Sequence, residues 1–332
     1  MKALYPQLTS YIRVNKLTGD ITIVSNIRRL RPKEFKKPKE FICPFCPGRE
    51  ELTPPATAVL IISEGRRTIL RDTNEHRVRG WQARIFPNKF PALTTSPPKP
   101  LRDSLEAYGY HEVLVEFPQH SPDPHNVDDK TYSHALWLLA NRIAELYSDE
   151  RIVSIVVIKN RGPRAGASIL HSHMQIFALP LIPPRLAREV EAFKTGCPLC
   201  ELIENWSELL VHEEKEYVVM VNPAPRAPYE VWIIPKRHKP LMGIEDEDLL
   251  SLAKCIRLVT KLYVEELGYE DYNAWIHVAP KGVTNFHWHV EFSPLSVTWG
   301  GLEKSSEAYI VEVPPEDAAK ELRSLLARLS SN

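Results

Sequence analysis

One arrangement of cysteines and histidines occurs twice along this chain, and it constrains the fold more than any other feature. Each copy has a Cys-x-x-Cys pair, then a single histidine, and then a His-x-His. The residues of the two copies are Cys43, Cys46, His120, His171 and His173, followed by Cys197, Cys200, His238, His287 and His289. The single histidine precedes the His-x-His by 51 residues in one copy and 49 in the other, and a Glu-Val dipeptide lies eight residues before it in both. These matched intervals predict a duplicated module, each half of which holds a metal.

The length of the chain agrees with a duplication. A chain of 332 residues exceeds the usual size of one hydrophobic core, so two domains are expected. We place them at residues 1–192 and 193–332, with the boundary before the second Cys-x-x-Cys. Apolar residues recur at helical spacing in 131–147 and again in 246–266, and strand-like runs precede and follow both segments. The prediction is an α+β fold of two antiparallel sheets, each crossed by a long helix.

The repeated cysteines and histidines predict two metal sites. Structural zinc sites favour four tetrahedral Cys and His ligands, and a Cys-x-x-Cys supplies two of them from one tight turn. The first predicted ligand set is Cys43, Cys46, His120 and His171, and the second is Cys197, Cys200, His238 and His287. The alternative is that the cysteines are redox dithiols or buried residues with unrelated histidines. Cys255 lies in a helical segment and is predicted to be a small core residue.

The second histidine of the first His-x-His is a candidate catalytic residue. In a strand, residues two apart face the same side, about 6.5–7 Å from one another. If His171 binds the metal, His173 is held rigidly beside it and is free to act on a substrate. An imidazole with one free nitrogen is a good nucleophile near neutral pH. We therefore predict that His173 is a nucleophile.

Composition excludes some partners and leaves others. The chain has 42 basic and 42 acidic residues, whereas a general binder of nucleic acid or of anionic membranes would normally have a basic excess. A small phosphorylated ligand stays possible, because a few local arginines can hold it. The sequence shows neither an apolar signal core at its start nor an apolar run of about 18 residues. We expect a cytoplasmic protein that binds neither nucleic acid nor membrane.

Several separate motifs connect this chain to a known family. They are Arg28 and Arg31 before Pro32, Cys43-Pro-Phe-Cys46-Pro-Gly48, Phe86-Pro-Asn88-Lys-Phe-Pro-Ala-Leu93, the run from Asn160-Arg161-Gly162 to Gln175, and His287-Trp-His289-Val-Glu291-Phe. With these motifs the chain resembles the galactose-1-phosphate uridylyltransferases of the histidine-triad superfamily over nearly its whole length. The resemblance implies that the two predicted modules are histidine-triad-like.

The resemblance also implies a mechanism and a set of site residues. His173 would attack the α-phosphorus of a UDP-sugar, release hexose 1-phosphate and form a uridylyl-histidine. A second hexose 1-phosphate would then take the uridylyl group. The overall reaction is a ping-pong exchange of UDP-glucose and galactose 1-phosphate. Gln175 and Ser168 would act with His173 on the phosphoryl group. The implied substrate-binding residues are Arg28, Arg31, Asn88, Asn160, Gln175 and Glu303. The family implies a homodimer that holds zinc at two sites, with iron as the alternative metal at the second.

The chain departs from the bacterial members of that family in three places. It has His171-Ser172-His173 where those members have His-Pro-His, which is typical of a branch that includes plant ADP-glucose phosphorylase-like proteins. A bacterial-type second metal set would map to Glu189, His277, His287 and His289. The second Cys-x-x-Cys favours instead the set that contains Cys197 and Cys200. His289 is then a vestigial counterpart of His173. In the hexose-recognition segment, Leu302 and Tyr309 replace the residues of the bacterial enzymes.

Two other functions stay open on the sequence. One is an ADP-glucose or dinucleoside-polyphosphate phosphorylase or adenylyltransferase, which would use the same histidine and the same metals. The other is a zinc-containing nucleic-acid-binding module. The second is disfavoured by the zero net charge and by ligands tens of residues apart, unlike the compact spacing of zinc fingers.

Overall fold

The computed structural model describes residues 10–30, 41–100, 103–121 and 123–329. The strands of this part are β1 (Ser10–Val14), β2 (Ile21–Ser25), β3 (Ala58–Ser63), β4 (Arg66–Leu70), β5 (Ala83–Pro87), β6 (Leu105–Glu106), β7 (Tyr110–Val115), β8 (Ser154–Arg161), β9 (His173–Leu179), β10 (Leu210–Glu213), β11 (Tyr217–Val221), β12 (Val231–Pro235), β13 (Tyr272–His277) and β14 (His289–Pro294). The α-helices are α1 (Asp129–Tyr147), α2 (Pro184–Ala192), α3 (Pro198–Asn205), α4 (Asp246–Lys261), α5 (Gly301–Ser306) and α6 (Pro315–Leu329).

The two long helices confirm the helical periodicities of the sequence. Helix α1 begins where the Asp128 side chain accepts a hydrogen bond from the Thr131 N–H at 2.9 Å, which satisfies one of the free donors of the first turn. Helix α4 has three acidic residues in its first turn, which complement the helix dipole, and it continues into a π-helical turn at Leu262–Glu266. No helix of the described segments is long and apolar enough to cross a membrane.

The two halves share one sheet, where the sequence predicted two. Eleven strands form a continuous antiparallel sheet in the order β10-β11-β12-β14-β13-β8-β9-β7-β5-β3-β4. The halves join where β13 pairs with β8, with Asn273 opposite Asn160 and His277 opposite Val156. Each of these strands would otherwise be an exposed edge with unpaired N–H and C=O groups, so their pairing removes one edge from each half. The division at residues 1–192 and 193–332 stays a prediction.

Equivalent strands carry the two His-x-His motifs. His173 is the first residue of β9 and His289 is the first residue of β14. On the neighbouring strands Val113 lies opposite Gln175, and Trp232 lies opposite Glu291. Val113 and Trp232 are therefore structural counterparts, and the matched Glu-Val dipeptides at Glu112 and Glu230 are offset by one residue. A one-residue offset turns a side chain to the other face of a strand, so the dipeptide match did not indicate equivalent positions.

The two faces of the sheet have different roles. Helices α1 and α4 pack on one face, where Leu114, Met174 and Ile176 join the main hydrophobic core. Strand residues alternate between faces, so their neighbours Val113 and Gln175 point to the other side. On that side the first Cys-x-x-Cys loop packs Phe45 against β5 and β7. The candidate sites lie on this second face.

Candidate metal and nucleotide sites

The structure brings the first predicted metal ligands together. Ligand atoms of Cys43, Cys46, His120 and His171 all lie within 4.8 Å of one another. The Nδ1 atom of His171 is 3.8 Å from Cys43 Sγ and 3.7 Å from Cys46 Sγ, and the Nδ1 atom of His120 is 3.3 Å from Cys46 Sγ. His171 is fully buried, whereas His120 lies at the protein surface.

The second predicted set forms an equivalent cluster. Ligand atoms of Cys197, Cys200, His238 and His287 also lie within 4.8 Å of one another. His287 Nδ1 is 3.4 Å from Cys197 Sγ, and His238 Nε2 is 3.2 Å from Cys200 Sγ. Helix α3 begins inside this Cys-x-x-Cys, and the Cys200 N–H donates to Cys197 Sγ at 3.3 Å. This cluster therefore sits at the N-terminus of α3.

Backbone carbonyls orient the buried histidine of each cluster in the same way. His171 Nε2 donates to the Phe117 carbonyl at 2.9 Å, and His287 Nε2 donates to the Pro235 carbonyl at 2.8 Å. In both histidines the proton is therefore on Nε2, and the unprotonated Nδ1 faces the cysteine sulfurs. Metal-binding histidines are usually oriented by a hydrogen bond of this kind from the other ring nitrogen. Tetrahedral zinc bonds imply S···N separations of about 3.6 Å, and the observed 3.2–3.8 Å bracket that value. Both clusters fit zinc.

A third cluster lies on the second half of the sheet. Ligand atoms of Glu189, His277, His289 and Glu291 lie within 4.8 Å of one another. The bacterial-type metal set would have used His287, but here His287 faces the cysteines. The buried Glu291, to which the sequence motif assigned no role, completes the cluster.

Two arginines pair with the buried carboxylate of this third cluster, and one of them, Arg226, is also paired with the buried Glu230 at 2.6 Å. Glu291 accepts from Arg185 Nη2 at 2.7 Å on both oxygens and from Arg226 Nη2 at 3.1 Å. His277 Nδ1 is 2.6 Å from Glu189. Burial would raise the pKa of Glu291, but the His289 hydrogen bond and the nearby charges of His277 and Arg185 lower it to about 2. The cluster is a buried ion-pair network around an ionised carboxylate.

His173 has the geometry of a nucleophile. Its Nδ1–H donates to the His171 carbonyl at 2.8 Å, which leaves the lone pair on Nε2. Burial lowers the pKa of His173 to about 4, so the ring is neutral near pH 7. The ring of Phe45 contacts it edge-on, with the centroids 5.2 Å apart. His171, a member of the first Cys/His cluster, therefore also orients the neighbouring imidazole through its backbone carbonyl.

A buried ion pair fixes the strand that carries these histidines. Lys159 Nζ is 2.6 Å from both Glu116 Oε2 and Ser172 Oγ, and Tyr132 OH donates to Glu116 Oε1 at 2.8 Å. Lys159 and Glu116 are almost fully buried. The serine between the two histidines thus anchors the motif to β8 through Lys159.

A narrow cleft of about 80 Å³ opens beside His173. Its lining includes the predicted residues Asn88, Ser168 and Gln175, together with Phe45, Phe86, Phe90, Val113 and Ile169. Gln175 is oriented by His111, a residue that the sequence analysis did not single out. The Ala92 N–H donates to His111 Nδ1 at 3.0 Å, so His111 Nε2 carries the proton and donates to Gln175 Oε1 at 3.0 Å. This leaves the Gln175 NH₂ available to donate to a substrate.

The other predicted substrate-binding residues lie elsewhere. Arg28 Nη1 donates to the Phe90 carbonyl at 3.1 Å and so supports the rim of the cleft, whereas Arg31 lies outside the described residues. Asn160 accepts from Asn273 Nδ2 at 2.8 Å and lines a separate cavity with Trp275 and Trp299. Glu303 accepts from the Gly300 N–H at 2.8 Å at the start of α5. Neither Asn160 nor Glu303 lines the His173 cleft.

Comparison with known proteins identifies the family. The ADP-glucose phosphorylase of Arabidopsis thaliana is 32% identical, and the alignment covers 95% of this chain and 92% of that protein. The galactose-1-phosphate uridylyltransferase of Thermotoga maritima is 30% identical, with 94% of this chain and 97% of that protein aligned. This chain belongs to the galactose-1-phosphate uridylyltransferase family. It is therefore an enzyme of the nucleotidyltransferase class.

Solved structures agree with this assignment. A uridylyltransferase superposes with a TM-score of 0.80 at 25% identity, covering 96% of this chain and 99% of the other. The Arabidopsis thaliana ADP-glucose phosphorylase with bound ADP-glucose superposes with a TM-score of 0.73 at 27% identity, covering 95% and 99%. No protein-family model matches the chain. The family and the fold class predicted from the sequence are confirmed, and relatives of both named activities align over almost the whole chain.

Proposed function

We propose that the protein is a hexose-1-phosphate uridylyltransferase that exchanges UDP-glucose and galactose 1-phosphate through a uridylyl-histidine at His173. The observation that carries this proposal is the orientation of His173, whose Nδ1 lies 2.8 Å from the His171 carbonyl, so that Nε2 is left for attack in the cleft that Gln175 also lines. Few other side chains react with phosphorus as a neutral nucleophile, and a neutral imidazole brings no anion against the phosphate.

The proposed reaction proceeds in two displacements at the same phosphorus. His173 Nε2 forms a bond to the α-phosphorus, the bond from that phosphorus to the bridging oxygen breaks, and hexose 1-phosphate leaves with that oxygen. The positive charge that develops on the ring is stabilised by the His171 carbonyl through Nδ1–H. In the second displacement a phosphate oxygen of another hexose 1-phosphate attacks the same phosphorus and releases Nε2.

The other cleft residues would position the phosphoryl group. Gln175 donates from its NH₂ because His111 already occupies its carbonyl oxygen, and Ser168 lies close enough to line the same cleft. Asn88, Phe86 and Phe90 would form the wall for the base. Phosphoryl transfer depends chiefly on such positioning and on charge stabilisation. Arg28, Arg31, Asn160 and Glu303 stay proposed substrate contacts, although Asn160 and Glu303 do not line the His173 cleft.

We also propose zinc in both Cys/His clusters, with iron as the alternative in the second. The Cys and His donors of both clusters suit a structural zinc ion, which would supply tetrahedral bonds that fix these side chains. A homodimer and a cytoplasmic location stay predictions, as does the division into two domains.

A specific observation supports the second candidate function, an ADP-glucose phosphorylase that carries an adenylyl group on His173. The phosphorylase of Arabidopsis thaliana, at 32% identity, aligns over nearly the whole chain, and His171-Ser172-His173 is typical of that branch. Dinucleoside polyphosphates would be alternative donors for the same chemistry.

Intact-mass measurement separates the two candidates. The protein is incubated without acceptor with UDP-glucose and, in parallel, with ADP-glucose. We expect a uridylyl adduct, because the leading proposal places uridine in the cleft, and we expect His173→Ala to remove it. An adenylyl adduct formed only with ADP-glucose selects the phosphorylase instead. If neither sugar nucleotide gives an adduct under conditions where both metals are bound, covalent catalysis by His173 is wrong.

His111→Phe tests the positioning of Gln175. Phenylalanine keeps the stacking of this ring on Phe177, whose centroid is 4.1 Å away, but it removes the hydrogen bond to Gln175 Oε1. Complete loss of one such donor lowers kcat by about a hundredfold to a thousandfold, and a donor that is kept but no longer oriented should cost less, about tenfold to a hundredfold. We expect that loss in kcat with little change in KM, measured by steady-state exchange. A KM increase with unchanged kcat would place Gln175 in ground-state binding only.

A further inference from the structure

Two side-chain amides of the proposed substrate-binding set, Gln175 and Asn160, are oriented in the same way. Gln175 Oε1 accepts a hydrogen bond from His111 at 3.0 Å, which leaves its NH₂ group for a substrate. Asn160 Oδ1 accepts from Asn273 Nδ2 at 2.8 Å, which leaves the NH₂ group of Asn160 in the same way. His111 lies on β7 in the first half of the chain, whereas Asn273 lies on β13 in the second half. A residue of the second half therefore contacts a proposed substrate-binding residue of the first.

Asn160 lies beside the proposed nucleophile, although it does not line the cleft of about 80 Å³. Strand β8 pairs with β9 as far as Lys159 and Met174, and continuing that register places Asn160 opposite His173. Opposite residues of antiparallel strands point to the same face, with their Cβ atoms about 4.5–5.5 Å apart. Asn273 lies opposite Asn160 on its other side. His173, Asn160 and Asn273 therefore form one row across three adjacent strands.

A backbone carbonyl determines which way these amides point. Asn273 Nδ2 also donates to the Ala165 carbonyl at 2.9 Å, and a carbonyl oxygen can only accept. The NH₂ group of Asn273 therefore faces Asn160, which must present its oxygen in return. The NH₂ group of Asn160 is on the side of Gly166, where an added Cβ atom would lie 3.6 Å from Nδ2. This donor thus points to the loop that contributes Ser168 to the cleft.

The second half of the chain also fixes the loop of residues 162–168. Asp271 Oδ1 accepts from the Arg164 N–H at 2.8 Å. A Cβ atom at Gly162 would clash with the same carboxylate, and the φ of +84° at this glycine is unfavourable for other residues. The bond from Asn273 to the loop holds its middle. The start of β13 and the residues before it therefore determine where this loop lies.

The duplication shows that this support belongs to one half only. At the junction of the halves Asn273 lies opposite Asn160, and further along the same pair of strands His277 lies opposite Val156. His277 also lies opposite His289, just as Asn160 lies opposite the proposed nucleophile. Val156 is therefore the counterpart of Asn273, and a valine side chain cannot donate a hydrogen bond. The half with the proposed nucleophile has a donor at this position, and the other half has a valine.

We propose that Asn273 is a positioning residue for the nucleotidyl transfer, which holds Asn160 so that its NH₂ group donates to a phosphoryl oxygen during attack by His173. This role rests on the proposed function, since it concerns the transfer at His173. A donor that is oriented in advance stabilises developing charge without reorganisation at the moment of reaction. The second half of the chain then takes part in catalysis in the first half, through the pairing of β8 with β13.

A double-mutant cycle tests this role. Asn273→Leu keeps the approximate size of the side chain and removes both donors without adding a charge, and Asn160→Leu removes the oriented amide itself. The kcat and KM of exchange and the rate of nucleotidyl-His173 formation by intact mass are measured for each variant and for the double variant. Asn285→Leu is the matched control, because Asn285 Nδ2 donates to the Phe193 carbonyl at 2.6 Å within the second half.

We expect Asn273→Leu to lower kcat by about tenfold to a hundredfold with little change in KM, whereas Asn285→Leu should leave kcat unchanged. In the Asn160→Leu background the same change at Asn273 should cost less than about threefold, because residues that act through one another are not additive. Unchanged kcat in Asn273→Leu, an effect on KM alone, an equal loss in Asn285→Leu, or full additivity of the two losses would each overturn the proposal. Absence of nucleotidyl-His173 in the unmodified protein would instead reject the proposed function, and this inference with it.

Discussion

His173→Ala is expected to lower the rate of nucleotidyl exchange by about four to six orders of magnitude, as removal of a covalent nucleophile does in other enzymes. The reason is geometric. His173 Nε2 is left for attack because Nδ1–H is bound to the His171 carbonyl, and the lining of the cleft contains no second histidine or cysteine. Exchange between labelled hexose 1-phosphate and the nucleotide sugar measures the loss.

The second half of the chain offers a matched control. His289→Ala removes the residue that begins the equivalent strand, and its Nδ1 has the same relation to the His287 carbonyl, at 3.2 Å. We expect this variant to keep exchange within about tenfold of the unmodified rate, because Glu291 rather than an amide faces its ring. A protein that retains full exchange without His173, or loses it only without His289, would contradict the assignment of the catalytic half.

The sequence predicted the parts of these sites that depend on spacing. Cys-x-x-Cys pairs and a His-x-His restrict the ligand geometry so strongly that both four-residue sets came together as expected. The long helices could also be predicted from the sequence, because apolar residues such as Leu136, Leu139 and Ile143 recur with a period of about 3.6 residues.

Contacts between distant strands could not be predicted in this way. The pairing of β8 with β13 joins the two sheets, and no local pattern distinguishes it from two exposed edges. His111 was missed for the same reason, since its role depends on a hydrogen bond to Gln175 on a neighbouring strand. The one-residue offset between Val113 and Trp232 was hidden by the matched Glu-Val dipeptides, because identity at a fixed sequence distance does not report which face a strand residue occupies.

The other large effect, on stability, is expected when one ligand of a metal-binding cluster is removed. Cys43→Ser should lose one equivalent of zinc and lower the free energy of unfolding by several kcal/mol, since binding at a structural zinc site contributes roughly 10 kcal/mol to a folded zinc-binding peptide. Cys43 is 4% exposed and packs in the same small core as Phe45. Metal analysis and thermal unfolding of the purified variant measure the two losses.

Cys197→Ser separates the effect of the metal on stability from its effect on catalysis. Both variants remove one thiolate from an equivalent cluster, so both should lose a metal equivalent and stability. Only the first cluster contains His171, whose carbonyl accepts a hydrogen bond from His173 Nδ1–H. The exchange rate per folded molecule should therefore fall steeply in Cys43→Ser and by less than about tenfold in Cys197→Ser. Equal loss of exchange in both variants would mean that the clusters act only through global stability. Full metal content in Cys43→Ser would show that its thiol is not a ligand, and the redox or core interpretation of that cysteine would replace the zinc site.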